Sequence, residues 1–248
     1  MNDCILQVRD LSKSYGAVMA SRKLCFDIRR GEVHALIGPN GAGKTTAVNQ
    51  LSGEIFPDSG SILFEGREIG RMPPHKRARL GLARSFQITS IFENLTVEEN
   101  LAIAIIAHNG HNFRFWRNCL RTPLVRKELP AALARVDLDQ RARVPAGYLS
   151  HGEKRQLEVG MALTCKPKLL MLDEPMAGMG PGGTVEMAKL IRRLKGNISI
   201  LLIEHDMDAV FSLADRITVL VYGECVAHGT PDEIRRNPTV RSAYLGEL

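Results

Sequence analysis

The sequence predicts an α/β fold with a parallel, doubly wound sheet at its core, and three observations indicate it. In the second half of the chain, apolar strand-like runs alternate with helix-like segments over short connections, which is typical of parallel sheets. The mostly apolar run Val33–Ile37 stops at Gly38, as expected of a strand buried on both faces. The length of 248 residues suits one large domain with room for a helical insertion.

The N-terminal region predicts a small antiparallel β subdomain. Ile5–Lys13 alternates apolar and polar residues, and Leu24–Ile28 is a second short apolar run. Turns are expected between and after these runs, at Gly16 and Gly31. A further strand is predicted over Ser61–Phe64, which lies between two glycines.

The rest of the chain predicts a helical insertion followed by alternating strands and helices. Residues 96–136 are helix-like, with interruptions at His108–Asn112 and Pro123. The elements expected after the insertion are a helix at Glu153–Thr164, a strand at Lys168–Leu172, a helix at Gly183–Leu194, a strand at Ile198–Ile203, a helix at Met207–Leu213 and a strand at Ile217–Val221. Thr230 to Glu233 then supply an N-cap, a proline at the first helical position and a capping-box glutamate for a final helix.

Composition and charge exclude some classes of protein and leave others open. The content of 44% hydrophobic and 24% charged residues is ordinary for a soluble protein. The longest apolar run, Leu101–Ala107, and the mostly apolar segment Ile198–Ile203 are far shorter than the roughly 18 residues of a membrane span. The N-terminus has no signal-peptide pattern, and the five cysteines form no C-x-x-C pair, so we expect a cytoplasmic chain with reduced thiols. The net charge of +6 fits nucleic acid, an anionic membrane or bound phosphates. The basic, aromatic segment Arg114–Lys127 fits nucleic acid or a solvated amphipathic helix.

A phosphate-binding loop follows the strand that ends at Ile37. The segment matches G-x-x-x-x-G-K-[ST] in full and lies between a predicted strand and a predicted helix, the context that the motif requires. A plain glycine-rich turn is the alternative. Lys44 is expected to reach the β- and γ-phosphates, and the Thr45 hydroxyl to ligate Mg²⁺. The residues expected to bind the nucleotide here are Gly38, Pro39, Asn40, Gly41, Ala42, Gly43, Lys44, Thr45 and Thr46.

Two carboxylates end the apolar strand at Lys168–Leu172. Asp173 and Glu174 are expected at the carboxyl end of a sheet strand, where ligands bind in open α/β sheets. Asp173 would hold Mg²⁺, and Glu174 would orient or deprotonate the attacking water. A pair of ordinary surface carboxylates is the alternative.

A helix start with two interpretations lies shortly before this strand. Ser150 and Glu153 form the pattern of a capping box, which needs no further function. A helix start with Ser150 and Gly152 is also an anion site, through its free N–H groups and its dipole.

In their order along the chain, the phosphate loop, the helix start and the two carboxylates resemble the motifs of the ATP-binding cassette (ABC) family of P-loop NTPases. Leu149 to Glu153 resemble the family's signature motif, although the usual Leu-Ser-Gly-Gly-Gln is here Leu-Ser-His-Gly-Glu. The resemblance implies that Ser150 and Gly152 bind ATP held by a second cassette. It also implies a Q-loop glutamine at Gln87 that contacts Mg²⁺ or water, a switch histidine at His205 and an adenine-stacking aromatic at Tyr15.

The resemblance covers essentially the whole chain and predicts its organisation. We expect one ABC domain over residues 1–248, with a parallel-sheet core, an N-terminal antiparallel β subdomain, a helical subdomain over about 90–165 and C-terminal helices over about 230–248. Three departures from the family pattern stand out. The loop Gly178–Pro181 lies where the family commonly has Asp or Asn, the stretch between Pro123 and Leu149 is shorter than is typical, and His151 lies in the signature motif.

In finer detail the chain resembles ATPase subunits of importers for branched-chain amino acids and of their urea/amide relatives. The segments that carry this are Ala83–Gln87, Leu95–Asn100, Glu174–Met179, Ile203–Met207, His228–Pro231 and Ala243–Glu247. The resemblance implies ATP and Mg²⁺ as cofactors and a peripheral position on the cytoplasmic face of the inner or plasma membrane. It also implies two transmembrane permease subunits, a second ABC ATPase subunit that is a paralogue, and an external solute-binding protein, with no nucleic acid.

Three alternatives remain open at this point. The ATPase of the lipopolysaccharide exporter shares the C-terminal tail, but usually has Pro where this chain has Phe86. A non-transport cassette protein acting on ribosomes or DNA is a second alternative, although such proteins usually carry two cassettes. A regulatory cassette with little turnover is the third, and it is suggested by His151 and Gly180.

Overall fold

The computed structural model describes residues 3–85, 91–108, 120 and 122–244. The described strands are β1 Cys4–Tyr15, β2 Val18–Arg29, β3 Val33–Ile37, β4 Ser59–Phe64, β5 Arg67–Glu68, β6 Leu82–Arg84, β7 Leu169–Asp173, β8 Ser199–Ile203, β9 Arg216–Val221 and β10 Glu224–Gly229. The described helices are α1 Lys44–Ser52, α2 Pro74–Leu80, α3 Val97–His108, α4 Pro123–Arg135, α5 His151–Leu163, α6 Pro181–Leu194, α7 Met207–Leu213, α8 Pro231–Arg236 and α9 Pro238–Tyr244. Within these residues, no helix is both long enough and apolar enough to span a bilayer.

The chain divides into two compact units. The first comprises the described parts of Met1–Arg84, Lys168–Glu174 and Leu194–Leu248, and the second those of Ser85–Pro167 and Pro175–Arg193. The first unit contains all ten strands named above, and the second is built mainly from α3, α4, α5 and α6.

Two sheets form the first unit. The larger has six strands in the order β10-β9-β3-β8-β7-β6, parallel throughout except that β10 runs antiparallel to β9. The smaller is antiparallel, in the order β2-β1-β4-β5. The predicted α/β fold, with a parallel core and an antiparallel β subdomain, is confirmed.

The three central strands of the larger sheet are buried and parallel, and they end at the same edge of the sheet. Every residue of β3, β7 and β8 is buried, as expected for strands covered on both faces. Because the three strands are parallel, their carboxyl ends lie at the same edge. The chain segments that follow these strands begin with Gly38, Glu174 and Glu204, and we expect a ligand site at that edge.

Several elements differ from their sequence prediction. The strands β1 and β2 extend beyond the predicted Ile5–Lys13 and Leu24–Ile28, because they pair with each other along a hairpin that continues to Tyr15 and Val18. Pro123, predicted as an interruption, begins α4, and the Thr122 hydroxyl caps that helix by accepting from Val125 N–H at 3.4 Å. The sequence analysis missed α2, β5 and β10, which are short and lack a clear apolar period.

Candidate nucleotide site

The phosphate loop in the first unit has the backbone that its glycines predict. Gly41 and Gly43 have left-handed φ values of 80° and 97°. A Cβ on Gly43 would lie 2.2 Å from the carbonyl oxygen of Ala20, so only glycine fits there. Gly43 precedes α1, and no side chain caps that helix. The first N–H groups of α1 therefore lack intrahelical acceptors and are suited to phosphate oxygens.

Lys44 is already folded back over the loop. Its Nζ donates to the carbonyl oxygens of Gly38 at 2.6 Å and Pro39 at 3.1 Å. Burial lowers the pKa of the Lys44 ammonium, while the charges of Glu174 and Asp173 act in the opposite direction. The ammonium is thus held within electrostatic range of both carboxylates that end β7.

A cavity of about 460 Å³ lies over the loop. Residues from four segments of the first unit line it: Val18, Met19, Ala20, Arg22, Asn40, Gly41, Ala42, Gly43, Lys44, Thr45, Thr46, Glu174 and Tyr222. It brings together most of the predicted phosphate loop and Glu174. Sequence reasoning missed the lining residues Val18, Met19 and Tyr222, whose side chains are exposed hydrophobics. A tyrosine beside a turn glycine, at Tyr222-Gly223, was the only available signal.

Tyr15 lies beside this cavity but is not one of its lining residues. It ends β1 and pairs with Val18 across the hairpin. Its side chain is half-exposed, and the Lys13 ammonium lies 5.8 Å from its ring centroid. The predicted contact with adenine therefore remains a prediction.

Asp173 is the buried carboxylate of the site. Only 2% of its side chain is exposed, and its Oδ2 accepts a hydrogen bond from Arg84 Nη2 at 2.8 Å. Arg84 ends β6, the strand beside β7. Sequence reasoning missed Arg84, because the contact joins residues 89 positions apart.

Glu174 and His205 approach each other at the sheet edge. His205 Nδ1 lies 3.9 Å from Glu174 Oε1 and 3.8 Å from Oε2 of Glu204, a buried carboxylate that sequence reasoning did not single out. Glu174 has a φ of 46°, an uncommon left-handed value for a residue with a side chain, and its N–H donates to Ile203 O at 2.9 Å. A strained backbone at this position is typical of functional sites.

The signature-like segment belongs to the second unit, and its capping box is present. Ser150 Oγ accepts from Glu153 N–H at 3.3 Å, and Glu153 Oε2 accepts from Ser150 N–H at 2.8 Å. Burial raises the pKa of Glu153, but its hydrogen bonds with Ser150 and Arg141 outweigh this and leave the pKa below its usual value. Gly152 lies in the first turn of α5, next to Gly183.

His151 makes a contact that a glycine could not. Its Nε2 lies 3.1 Å from the carbonyl oxygen of Ala177, within hydrogen-bonding distance. Gly178, the next residue, has a φ of 71° and lies against the same imidazole. The departure from the usual signature therefore ties the start of α5 to the loop before α6. Gln87, the predicted Q-loop residue, lies outside the described residues.

Comparison with known proteins decides the family. The family model described as "ABC transporter" matches residues 21–177. The chain belongs to the ABC transporter family. A second model, described as "Branched-chain amino acid ATP-binding cassette transporter", matches residues 224–247 of this ABC protein. As a member of this family, the chain is an ATPase, and the nucleotide that it binds is ATP.

Curated ABC relatives are similar over their whole length. The chain is 40% identical over 256 residues to the high-affinity branched-chain amino acid transport ATP-binding protein BraF of Pseudomonas aeruginosa, covering 100% of both chains. It is 39% identical to the protein LivG of Escherichia coli, with the same coverage. A probable LivG from Archaeoglobus fulgidus is 36% identical, over 98% of this chain and 95% of that one.

Solved ABC structures share the fold. An ATP-binding cassette of an ABC transporter in its ADP conformation has a TM-score of 0.87 and 30% identity, covering 98% of this chain and 99% of that one. A nucleotide-free ATP-binding cassette has a TM-score of 0.86 and 30% identity, covering 98% and 100%. The phosphate loop, Asp173, Glu174 and His205 thus lie together in the first unit of an ABC ATPase fold.

Proposed function

We propose that this ABC ATPase energises an importer of branched-chain amino acids. The single observation that carries the proposal is the similarity to importer ATPases over the whole length of the chain, at up to 40% identity with BraF. The match of residues 224–247 to a model of branched-chain amino acid cassettes supports it at the C-terminus, outside the motifs common to all cassettes. Urea or amides are the alternative solutes.

Mg²⁺ fits the donor groups of the first unit. Asp173 offers a buried carboxylate and Thr45 a hydroxyl in the wall of the cavity, and Mg²⁺ prefers such hard oxygen ligands. We assign Thr45 and Asp173 as its ligands, with Gln87 as the third. When bound, the ion neutralises charge on the β- and γ-phosphates.

Hydrolysis is assigned to the exposed carboxylate of the pair. Glu174 lines the cavity with its side chain 36% exposed, so it can orient a water at the γ-phosphate and take its proton. His205 Nδ1 lies 3.9 Å from Glu174 Oε1, and we assign His205 to the γ-phosphate. Lys44 and the N–H groups at the start of α1 hold the phosphates, and Tyr15 is assigned to the adenine.

Ser150 and Gly152 are assigned to an ATP held by a second cassette. The start of α5 combines free N–H groups, a helix dipole and a serine hydroxyl, which suits an anion. Two cassettes would then close head to tail over two ATP molecules. The remaining partners proposed are a paralogous second cassette, two permease subunits and an external solute-binding protein, with the cassettes on the cytoplasmic face of the membrane.

Transport by the isolated complex tests the proposal. The complex would be purified from membranes through a tag on this chain, reconstituted into vesicles with the solute-binding protein added on the opposite side from the cassettes, and supplied with ATP on the cassette side. We expect uptake of radiolabelled leucine, isoleucine or valine, and no uptake with the Lys44→Ala variant. Uptake of urea or amides alone would replace the solute, and export of a lipid-linked glycan would replace the importer. ATP turnover that never responds to any solute would contradict a transport function.

A further inference from the structure

The buried guanidinium of Arg84 joins the two elements that carry the assigned Mg²⁺ ligands. Its Nη2 donates to Asp173 Oδ2 at 2.8 Å, at the end of β7. Its Nη1 donates to Asn49 Oδ1 at 2.7 Å, in α1. Asn49 lies four residues after Thr45, so the two side chains share one face of that helix.

We propose that Arg84 is a positioning residue for the metal site. Its planar fork sets the orientation of the Asp173 carboxylate and the distance between β7 and α1. The inference rests on the proposed assignment of Asp173 and Thr45 to Mg²⁺.

Because both side chains are buried, the Asp173 carboxylate depends on the Arg84 guanidinium as its charged partner. The side chains of Arg84 and Asp173 are 10% and 2% exposed, and a buried carboxylate is strongly disfavoured without a charged partner. The guanidinium of Arg84 is the charged partner that the buried Asp173 carboxylate requires. Because the guanidinium engages Oδ2, the carboxylate keeps Oδ1 for a metal ion or its water, and its rotamer is fixed before the ion arrives.

The remaining contacts of Arg84 show which interactions set its pose. Nη1 also lies 3.5 Å from Ser52 Oγ, at the end of α1, and 3.1 Å from Glu54 Oε1, just beyond it. Nε is buried with no hydrogen-bond acceptor among the described residues. The contacts of the two terminal nitrogens thus set the position of the guanidinium, while Nε is left without a hydrogen bond among the described residues. A lysine ammonium has no planar fork and cannot reproduce both contacts with the same geometry.

Metal binding, rather than turnover, is the sharpest test. A fluorescent ATP analogue would be titrated into the chain with EDTA, and then at increasing Mg²⁺, for the wild type, Arg84→Gln and Arg84→Lys. Arg67→Gln serves as the matched control, because Arg67 is an exposed arginine of the same unit on β5.

We expect Arg84→Gln to bind the analogue in EDTA within about twofold of the wild type, and to need roughly 10- to 100-fold more Mg²⁺ for the metal-dependent gain, as is usual when a partner of a metal ligand is removed. The Mg²⁺ requirement of Arg84→Lys should lie between those of the wild type and Arg84→Gln, and the requirement of Arg67→Gln should match that of the wild type. An unchanged Mg²⁺ requirement in Arg84→Gln, or an equal loss of binding with and without Mg²⁺, would overturn the inference. A lowered requirement would overturn it too, since Arg84 would then compete with the ion.

Two further variants keep the outcome interpretable. Asn49→Ala removes the shorter of the two contacts with α1 and leaves the one with Ser52 Oγ at 3.5 Å, so we expect a smaller rise in the Mg²⁺ requirement than in Arg84→Gln. No rise would remove the Asn49 contact from the proposal. This variant remains measurable if Arg84→Gln fails to fold. Asp173→Asn should abolish the metal-dependent gain. If it does not, the metal assignment itself fails, whereas a loss in Asp173→Asn without a change in Arg84→Gln rejects only the role of Arg84.

Discussion

The imidazole of His34 stacks on that of His228, with 5.5 Å between the ring centroids and 25° between the planes. His34 Nδ1 lies 3.1 Å from Glu32 Oε1, and Thr218 Oγ1 lies within 2.9 Å of a ring nitrogen of each histidine. Arg216 Nη2 contacts the other nitrogen of His228. A guanidinium only donates hydrogen bonds and a carboxylate only accepts them, so the hydrogen bonds along this series of residues run in one direction. Arg216 donates to His228, His228 to Thr218, Thr218 to His34, and His34 to Glu32. Both histidines are then neutral and protonated on Nδ1.

Acidification is expected to destabilise the first unit through this series of hydrogen bonds. Burial, together with the Arg216 charge, lowers the pKa of His228 to about 4, and burial lowers the pKa of His34. The unfolded chain therefore binds more protons than the folded one between about pH 6.5 and 4, so stability is full above that window and falls as pH drops through it. The thermal midpoint should decline from pH 7 to pH 5 by more in the wild type than in His228→Gln. Parallel declines in both proteins would exclude His228 as the cause.

Removing the charge of Glu174 should separate ATP binding from hydrolysis. We expect Glu174→Gln to lower the turnover rate by about 10²- to 10⁴-fold, the usual contribution of a general base, while ATP affinity stays within a few fold. The variant should also accumulate a closed dimer with ATP, visible by size-exclusion chromatography. Glu186→Gln, at an exposed glutamate of α6, is the control and should turn over normally. Normal turnover in Glu174→Gln would remove this residue from its assigned role.

Gly43→Ala should abolish nucleotide binding. The added Cβ would lie 2.2 Å from Ala20 O, at a φ of 97° that side chains rarely adopt. The loop must therefore move, and its N–H groups lose their alignment on the phosphates. Gly182→Ala is the matched control, because a Cβ there meets nothing within 4 Å, and its stability should stay within about 0.5 kcal/mol of the wild type. Calorimetric titration with ATP and thermal melts measure the two effects, and micromolar ATP binding by Gly43→Ala would contradict the steric argument.

Arg77 is expected to hold the end of α1 in place. Its buried guanidinium donates to four carbonyl oxygens, those of Gln50, Leu51, Gly70 and Met72, at 2.6 to 3.0 Å. Burial lowers its pKa to about 10, which leaves the group charged at neutral pH. Arg77→Ala leaves these acceptors unsatisfied, and we expect a loss of about 3 kcal/mol or more in the free energy of unfolding. Urea titration measures it, with the exposed neighbour Arg79→Ala as control. Equal unfolding midpoints in the two variants would refute the anchoring role.

Sequence patterns located the parts of this molecule whose signals are local. The strand Val33–Ile37, the helix Met207–Leu213 and the two capping boxes at Ser150 and Thr230 depend on neighbouring residues alone, and all were placed correctly. The order of the strands in the sheet is not a local property. Contacts that depend on it, such as Arg84 with Asp173, could not be found from spacing.

The wall of the cavity likewise depends on contacts between distant parts of the chain. Tyr222 lies in the turn between β9 and β10, and it becomes a lining residue because Gly223 N–H donates to Ala42 O at 2.9 Å. That hydrogen bond joins the turn to the phosphate loop across a long stretch of sequence. The strand β10 has Cys, Ala and His where a clear strand would have branched residues, so the turn itself was not predicted.

The hydrogen bond between His151 and Ala177 connects the start of α5 to the loop before α6, both in the second unit. Ala177 lies three residues after Glu174 along the backbone, and His151 is the first residue of α5. A shift of the loop at Ala177 therefore pulls on the helix start that is assigned to the second cassette's ATP. A glycine at position 151 could not make this contact, so the histidine is what makes the position of the loop at Ala177 and the position of the start of α5 depend on each other.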